Sequence, residues 1–128
     1  MGAANNLRIG FPFLPTANAT TGHTNFTLNG STDALEYIFN APEAITITKL
    51  GFRYGARTGT PPTFRISLQG VGTTGNPDGT VKGGASPAST TFTPPADTTI
   101  DGLWQWKTLD NSYVCTRGES LAVVIDYS

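Results

Sequence analysis

The stretch Phe64-Arg65-Ile66-Ser67-Leu68-Gln69 alternates bulky apolar and polar side chains without a break. In an extended chain successive side chains point to opposite faces, so Phe64, Ile66 and Leu68 share one side and Arg65, Ser67 and Gln69 the other. The pattern predicts a strand with its apolar side in a core and Arg65, Ser67 and Gln69 facing outward. Just upstream, Thr60-Pro61-Pro62-Thr63 turns the chain into it. Further back, Ala44 to Arg57 is the longest strand candidate. Ile45 and Ile47 share a face there, and Leu50, Phe52 and Tyr54 share a face one residue out of phase, which predicts a bulge or break near Lys49. Leu35, Tyr37 and Phe39 define an earlier strand, and Phe26 and Leu28 a weak one over residues 24–28.

Downstream, residues 70–90 form a turn-rich connection. Gly75-Asn76-Pro77-Asp78-Gly79 places Pro and Gly as a type I turn requires, and Gly83-Gly84-Ala85-Ser86-Pro87 adds further breaks. Short strands resume over residues 89–93, 103–109 and 121–127. In the last, Leu121, Val123, Ile125 and Tyr127 line one face and Ala122, Val124 and Asp126 the other, so Val124 implies cover on both sides. No window carries the three-and-four apolar spacing of an amphipathic helix. The expectation is an all-β domain: an antiparallel β-sandwich of seven or eight short strands over residues 23–128, of jelly-roll topology, preceded by an extended N-terminal arm over residues 1–22.

Composition agrees. Of 128 residues, 15 are Gly and 9 Pro, while charged residues are only 13%, well below the roughly 25% usual for a globular domain. Thr, Ser, Asn and Gly take their place, and β-branched Thr suits a pleated, half-buried surface. With a net charge of -1 and basic residues no closer than the scatter of Arg53, Arg57 and Arg65, the chain lacks the footprint of a nucleic-acid binder. Low charge also removes a common safeguard against association, which suits a subunit held in an array. No apolar run is long enough to span a membrane as a helix, and the first six residues have no signal-peptide character. The close of the sequence at Ser128, directly after a strong strand, reads as a module of a longer polypeptide.

Chemistry-bearing residues are few. The single cysteine, Cys115, has apolar neighbours and is expected to be a buried, inert thiol. His23 stands alone in a Thr/Gly/Asn-rich stretch. A hydrolase triad would have to use it, yet no Gly-x-Ser-x-Gly elbow is present, and one His with one distant Cys does not make a zinc site. Gly70-Val71-Gly72 is followed by neither a helix nor a Lys-Ser/Thr pair, so it is no phosphate loop. Among nine acidic residues no pair is marked for glycoside hydrolysis. The sequence reads as non-enzymatic, without a cofactor.

Four features bear on binding. Trp104 and Trp106 share a face with Thr108, opposite Leu103, Gln105, Lys107 and Leu109. Their bulk favours the core, while exposed indoles would stack on sugars, with Tyr113 as a third candidate, or bury against a neighbouring subunit. The apolar knot Phe11-Pro12-Phe13-Leu14-Pro15 cannot be a helix, and Phe11, Phe13 and Leu14 are candidate assembly contacts, against the reading of a loose terminus. Asp97, Asp101, Asp110 and Asn111 fall at expected loop ends, where a structural Ca²⁺ would be the functional alternative to solvated turn residues. Three glycosylation sequons begin at Asn18, Asn25 and Asn29.

The succession Ile47-Thr48-Lys49-Leu50-Gly51-Phe52-Arg53, Phe64 to Leu68, Gly75-Asn76-Pro77-Asp78-Gly79-Thr80-Val81, Trp104-Gln105-Trp106-Lys107-Thr108-Leu109 and Thr116-Arg117-Gly118-Glu119-Ser120 into Leu121 to Ile125 has a further meaning. It resembles the jelly-roll β-sandwich domains of bacteriophage virion proteins and of bacterial extracellular proteins, where they sit beside carbohydrate-binding-like modules. The resemblance implies a non-catalytic role in a virion or outside the cell: capsid decoration, or a tail or fibre component, in contact with copies of itself or other virion proteins. A carbohydrate-binding module, with glycans as partners, and an adhesion or appendage module of a larger bacterial surface protein are the alternatives. No site residue transfers with the resemblance, because the group shares no single site motif.

Overall fold

The computed structural model describes residue 28 and residues 32–53, 63–94 and 104–128. Among the described residues seven strands run in chain order: β1 (Ala34–Asn40), β2 (Thr46–Arg53), β3 (Phe64–Val71), β4 (Pro77–Val81), β5 (Ser89–Phe92), β6 (Trp104–Val114) and β7 (Ser120–Tyr127). Every pairing is antiparallel. One sheet holds β1, β7, β3 and β4 in that order, with β5 also on β3; the other pairs β2 with β6. The expected all-β class is the observed one. The arm with Phe11, Phe13 and Leu14, the residues around His23 and Phe26, the three sequons, Tyr54, Arg57, Asp97 and Asp101 lie outside the described residues. Among the described residues no helix is long and apolar enough to cross a membrane.

One core forms between the two sheets. Phe64, Ile66 and Leu68 of β3, Leu121, Val123 and Ile125 of β7, and Phe92 of β5 meet Ile47 and Leu50 of β2 and Leu109 of β6. Leu35, Tyr37 and Phe39 of β1 pack against them from the edge. Burying each large aliphatic side chain contributes about 1.5–3 kcal/mol. An aromatic contact crosses the layers, with Phe92 5.1 Å from Phe52, and within the larger sheet Phe92 lies 6.0 Å from Phe64, centroid to centroid. The phase change expected near Lys49 is a register shift between Ile47 and Lys49, which returns Leu50 to the core after Ile47.

Two sequence expectations are corrected here. Ser67 and Gln69 are not outward and wet: they are 0% and 4% exposed. Ser67 faces Val124 and Gln69 faces Ala122 across the β3–β7 pair, so the second face of these central strands is covered too. Gln69 Nε2 donates to Ser67 Oγ at 3.1 Å, which lets the two polar groups be buried together. Cover on both sides of β7 was legible in Val124; on β3 the same cover acts on polar residues.

The second correction concerns the turn. The chain reverses at Gly72-Thr73-Thr74-Gly75, where the Gly75 N–H donates to the Gly72 carbonyl at 3.0 Å and the Gly72 N–H to the Asn76 carbonyl at 2.8 Å. Gly75 has φ of 82°, the left-handed residue that a three-residue hairpin loop needs after a type I turn. Pro77, Asp78 and Gly79 therefore belong to β4, and a Pro is tolerated there because β4 lies at a sheet edge. Opposite them Gly70 has no side chain, and the Asp78 carboxylate lies 2.5 Å from where a Cβ would be.

Candidate functional site

On β6 burial alternates along the strand. Gln105, Lys107, Leu109, Asn111 and Tyr113 turn toward the other sheet, while Trp104, Trp106, Thr108, Ser112 and Val114 turn away; Asp110 is exposed but reaches back to the larger sheet. The expectation that both tryptophans are core residues is overturned. Trp104 is 38% and Trp106 39% exposed, as large apolar groups on the outer face of the two-stranded sheet. The physical reason lies in β2: Ile47 and Leu50 commit one face of the ribbon to the core, and the register then sends the Trp row the other way. The inward positions that sequence reading weighed against the Trp face hold Leu109 and the long stem of Lys107, whose Nζ sits 5.1 Å from the centre of the Phe92 ring.

The two indoles are stacked. Their ring centroids are 5.9 Å apart and their planes differ by 24°, and at 38% and 39% exposure part of each residue stays uncovered. Trp106 pairs with Gly51 across the ribbon and Trp104 with Arg53. A Cβ on Gly51 would lie 2.7 Å from Cε3 and Cζ3 of Trp106, so the indole lies over the spot where any other residue has a side chain. One rung further, Thr108 pairs with Lys49, and both are exposed. Asp110 follows, accepting a hydrogen bond from Thr90 Oγ1 at 3.0 Å. Sequence reading found the tryptophans and missed Gly51, whose role becomes visible only with the register.

Tyr113, the third stacking candidate, is on the opposite face of β6. Its hydroxyl donates to Glu119 Oε1 at 2.7 Å, and Lys82 Nζ lies 2.9 Å from the same oxygen. Because Tyr113 comes from the ribbon and Lys82 and Glu119 flank strands of the larger sheet, the trio ties the two layers together. Burial pushes the Tyr113 phenol up, and the bond to Glu119 adds to it. The bond to Glu119 raises Lys82. For Glu119 burial favours the protonated acid, but the Tyr113 hydroxyl, the Thr116 N–H and the Lys82 ammonium together outweigh it and hold the carboxyl below its ordinary value.

Asp110 and Asn111 are not at a loop end. Both lie within β6, and Asn111 Nδ2 donates to the Pro87 carbonyl at 3.3 Å. Among the described residues no three His, Cys, Asp or Glu side chains converge as a metal site. Cys115 is buried, as expected, with its Sγ 3.4 Å from the Ile45 carbonyl. Arg65 reaches across β3–β7 to Asp126, with Nε 3.0 Å from Oδ1.

No protein-family model matches the chain, and comparison with curated proteins and with solved structures found no relative.

Proposed function

We propose that this chain is a non-catalytic structural domain of a phage-like virion, on a capsid or tail, that holds its neighbours through its sheet faces and an arm carrying Phe11, Phe13 and Leu14. The observation that carries the reading is the nesting of the strand pairs: β1 with β7, β2 with β6 and β3 with β5. A long antiparallel hairpin rolled over on itself produces that order, and rolling up such a hairpin is how a jelly roll is built. Jelly rolls serve in viral capsid and lectin domains. Fold alone does not assign function; the low charge and the exposed apolar Ile38 on β1 add to the case for a surface that meets other subunits.

The test is the assembly state. Light scattering and negative-stain electron microscopy of the purified full chain at high concentration are expected to show a defined oligomer or array. Replacing Phe11, Phe13 and Leu14 together by Ser is expected to dissolve it while circular dichroism stays unchanged. A chain that stays monomeric at millimolar concentration, or assembly indifferent to the triple replacement, would overturn the proposed role of the arm.

A further inference from the structure

We infer that Trp104 and Trp106, laid over Gly51 on the outer face of the β2–β6 ribbon, form a carbohydrate-binding platform that stacks on the C–H faces of successive sugar rings. The inference goes beyond the assembly reading and does not depend on it, since an outer face can take a glycan whether the domain is single or packed in a particle.

The geometry points to a flat ligand. Residues two apart on a strand are about 7 Å apart, and the indole centroids are 5.9 Å apart with planes 24° from parallel. Two partly exposed, near-parallel rings thus follow one another along the strand at a step of the order of one sugar residue. A pyranose presents axial C–H groups from one face and hydroxyls from its rim. The electron-rich indole face attracts the first, and the indole N–H is available to the second. Polar groups stand where the rim would fall: Thr108 and Lys49 occupy the rung beside Trp106 and Gly51. Gly51 has a definite part in this. Any side chain there would have to displace the Trp106 ring, so its hydrogen lets the indole lie across the ribbon.

The size of the patch argues against a protein partner on this face. Two indoles a little over a third exposed offer together on the order of 100–200 Å² of apolar surface, whereas a standard protein interface buries about 800 Å² on each side. The next exposed large apolar residue on β6 is Val114, with exposed Thr108 and Ser112 between it and Trp106. A small apolar strip with a polar border is matched to a saccharide.

The chain contains two tryptophans, and both are in the platform, so intrinsic fluorescence reports on this site alone. The experiment titrates the full chain with soluble β-glucan, xylan, mannan, galactan and chitin oligosaccharides. It follows Trp emission and, for the polymers, retardation in affinity gels. The expected result is a saturable emission shift with at least one probe, a tenfold or greater loss of affinity in Trp106→Ala and in Trp104→Ala, and partial retention in Trp106→Phe. Val114→Ala is expected to bind as wild type does. Circular dichroism checks that each variant is folded, and if an alanine variant is not, the wild-type emission titration and Trp106→Phe still decide. Absence of any shift across the panel overturns the inference, as does equal binding by a folded Trp106→Ala. An emission shift that follows protein concentration instead of sugar would make the face a self-association surface and overturn it as well. Assembly seen by microscopy without sugar binding leaves the virion reading standing and removes this one, so the two fail separately.

Discussion

In the middle of the five-stranded sheet β3 and β7 are covered on both faces, whereas β6 in the two-stranded sheet is covered on one. The first situation produces unbroken burial, from Ile66 to Gly70 and from Leu121 to Ile125; the second produces strict alternation with Leu109 at its centre. A strand's position in its sheet therefore changes what its polar residues do. On β6 an outward Thr or Ser is solvated. On β3 an outward Ser67 is sealed in and must find its partner in Gln69. The two-sided strands carry stability, and the one-sided strand has a face left over for recognition.

Substitutions can break this contrast. The largest effect is expected from Ile66→Ala, which removes a side chain with no exposure from the middle of the core and should cost about 2–5 kcal/mol in chemical denaturation. Next comes Ser67→Ala. Although Ser67 is small and polar, its loss takes the acceptor from a buried Gln69 amide and should cost about 1–3 kcal/mol. A result near zero would show that the covered outer face of β3 tolerates an unpaired amide and would erase much of the difference between the strands. Trp106→Ala on the open face should lower stability by less than about 1 kcal/mol, the usual range for surface sites, in spite of deleting the larger side chain.

The ties between the layers give a smaller, pH-dependent effect. Glu119 is held below its ordinary 4.5, so its contribution is complete above that value and is lost as pH falls from there through the folded-state value. Lys82 and Tyr113 are raised, so theirs is complete below about 10 and lost as pH climbs past. Melting temperatures followed from pH 6 down to 3 should fall more steeply for wild type than for Glu119→Gln; parallel curves would show that the trio does not couple the sheets. The smallest change is expected from Gly51→Ala, which should displace Trp106 and alter its emission with little change in melting temperature.

The apolar patterns made legible β1, the register shift near Lys49, the core side of β3, and β7 with its cover on both faces. They misplaced what depends on a partner. Alternation separates the two faces of β6 but does not say which one meets the core, and side-chain bulk pointed to the tryptophans. The answer lies in the pairing of Trp106 with Gly51 and in Ile47 and Leu50 on β2. Pro77-Asp78-Gly79 has the composition of a turn, yet the reversal lies upstream at Gly72 to Gly75 and leaves Pro77 in an edge strand. Ser67 and Gln69 looked solvated because polarity usually signals exposure, and it fails for a strand at the centre of a sheet.

The nested strand order also has a consequence for how the molecule comes into being. Asn40, at the end of β1, bonds to a serine eighty positions later. On a ribosome β1 would emerge long before β7 exists to pair with it, and the larger sheet has no complete register until β7 is made. Such dependence on distant pairings predicts slow, late acquisition of structure, and a nascent chain that waits with its apolar edges unpaired.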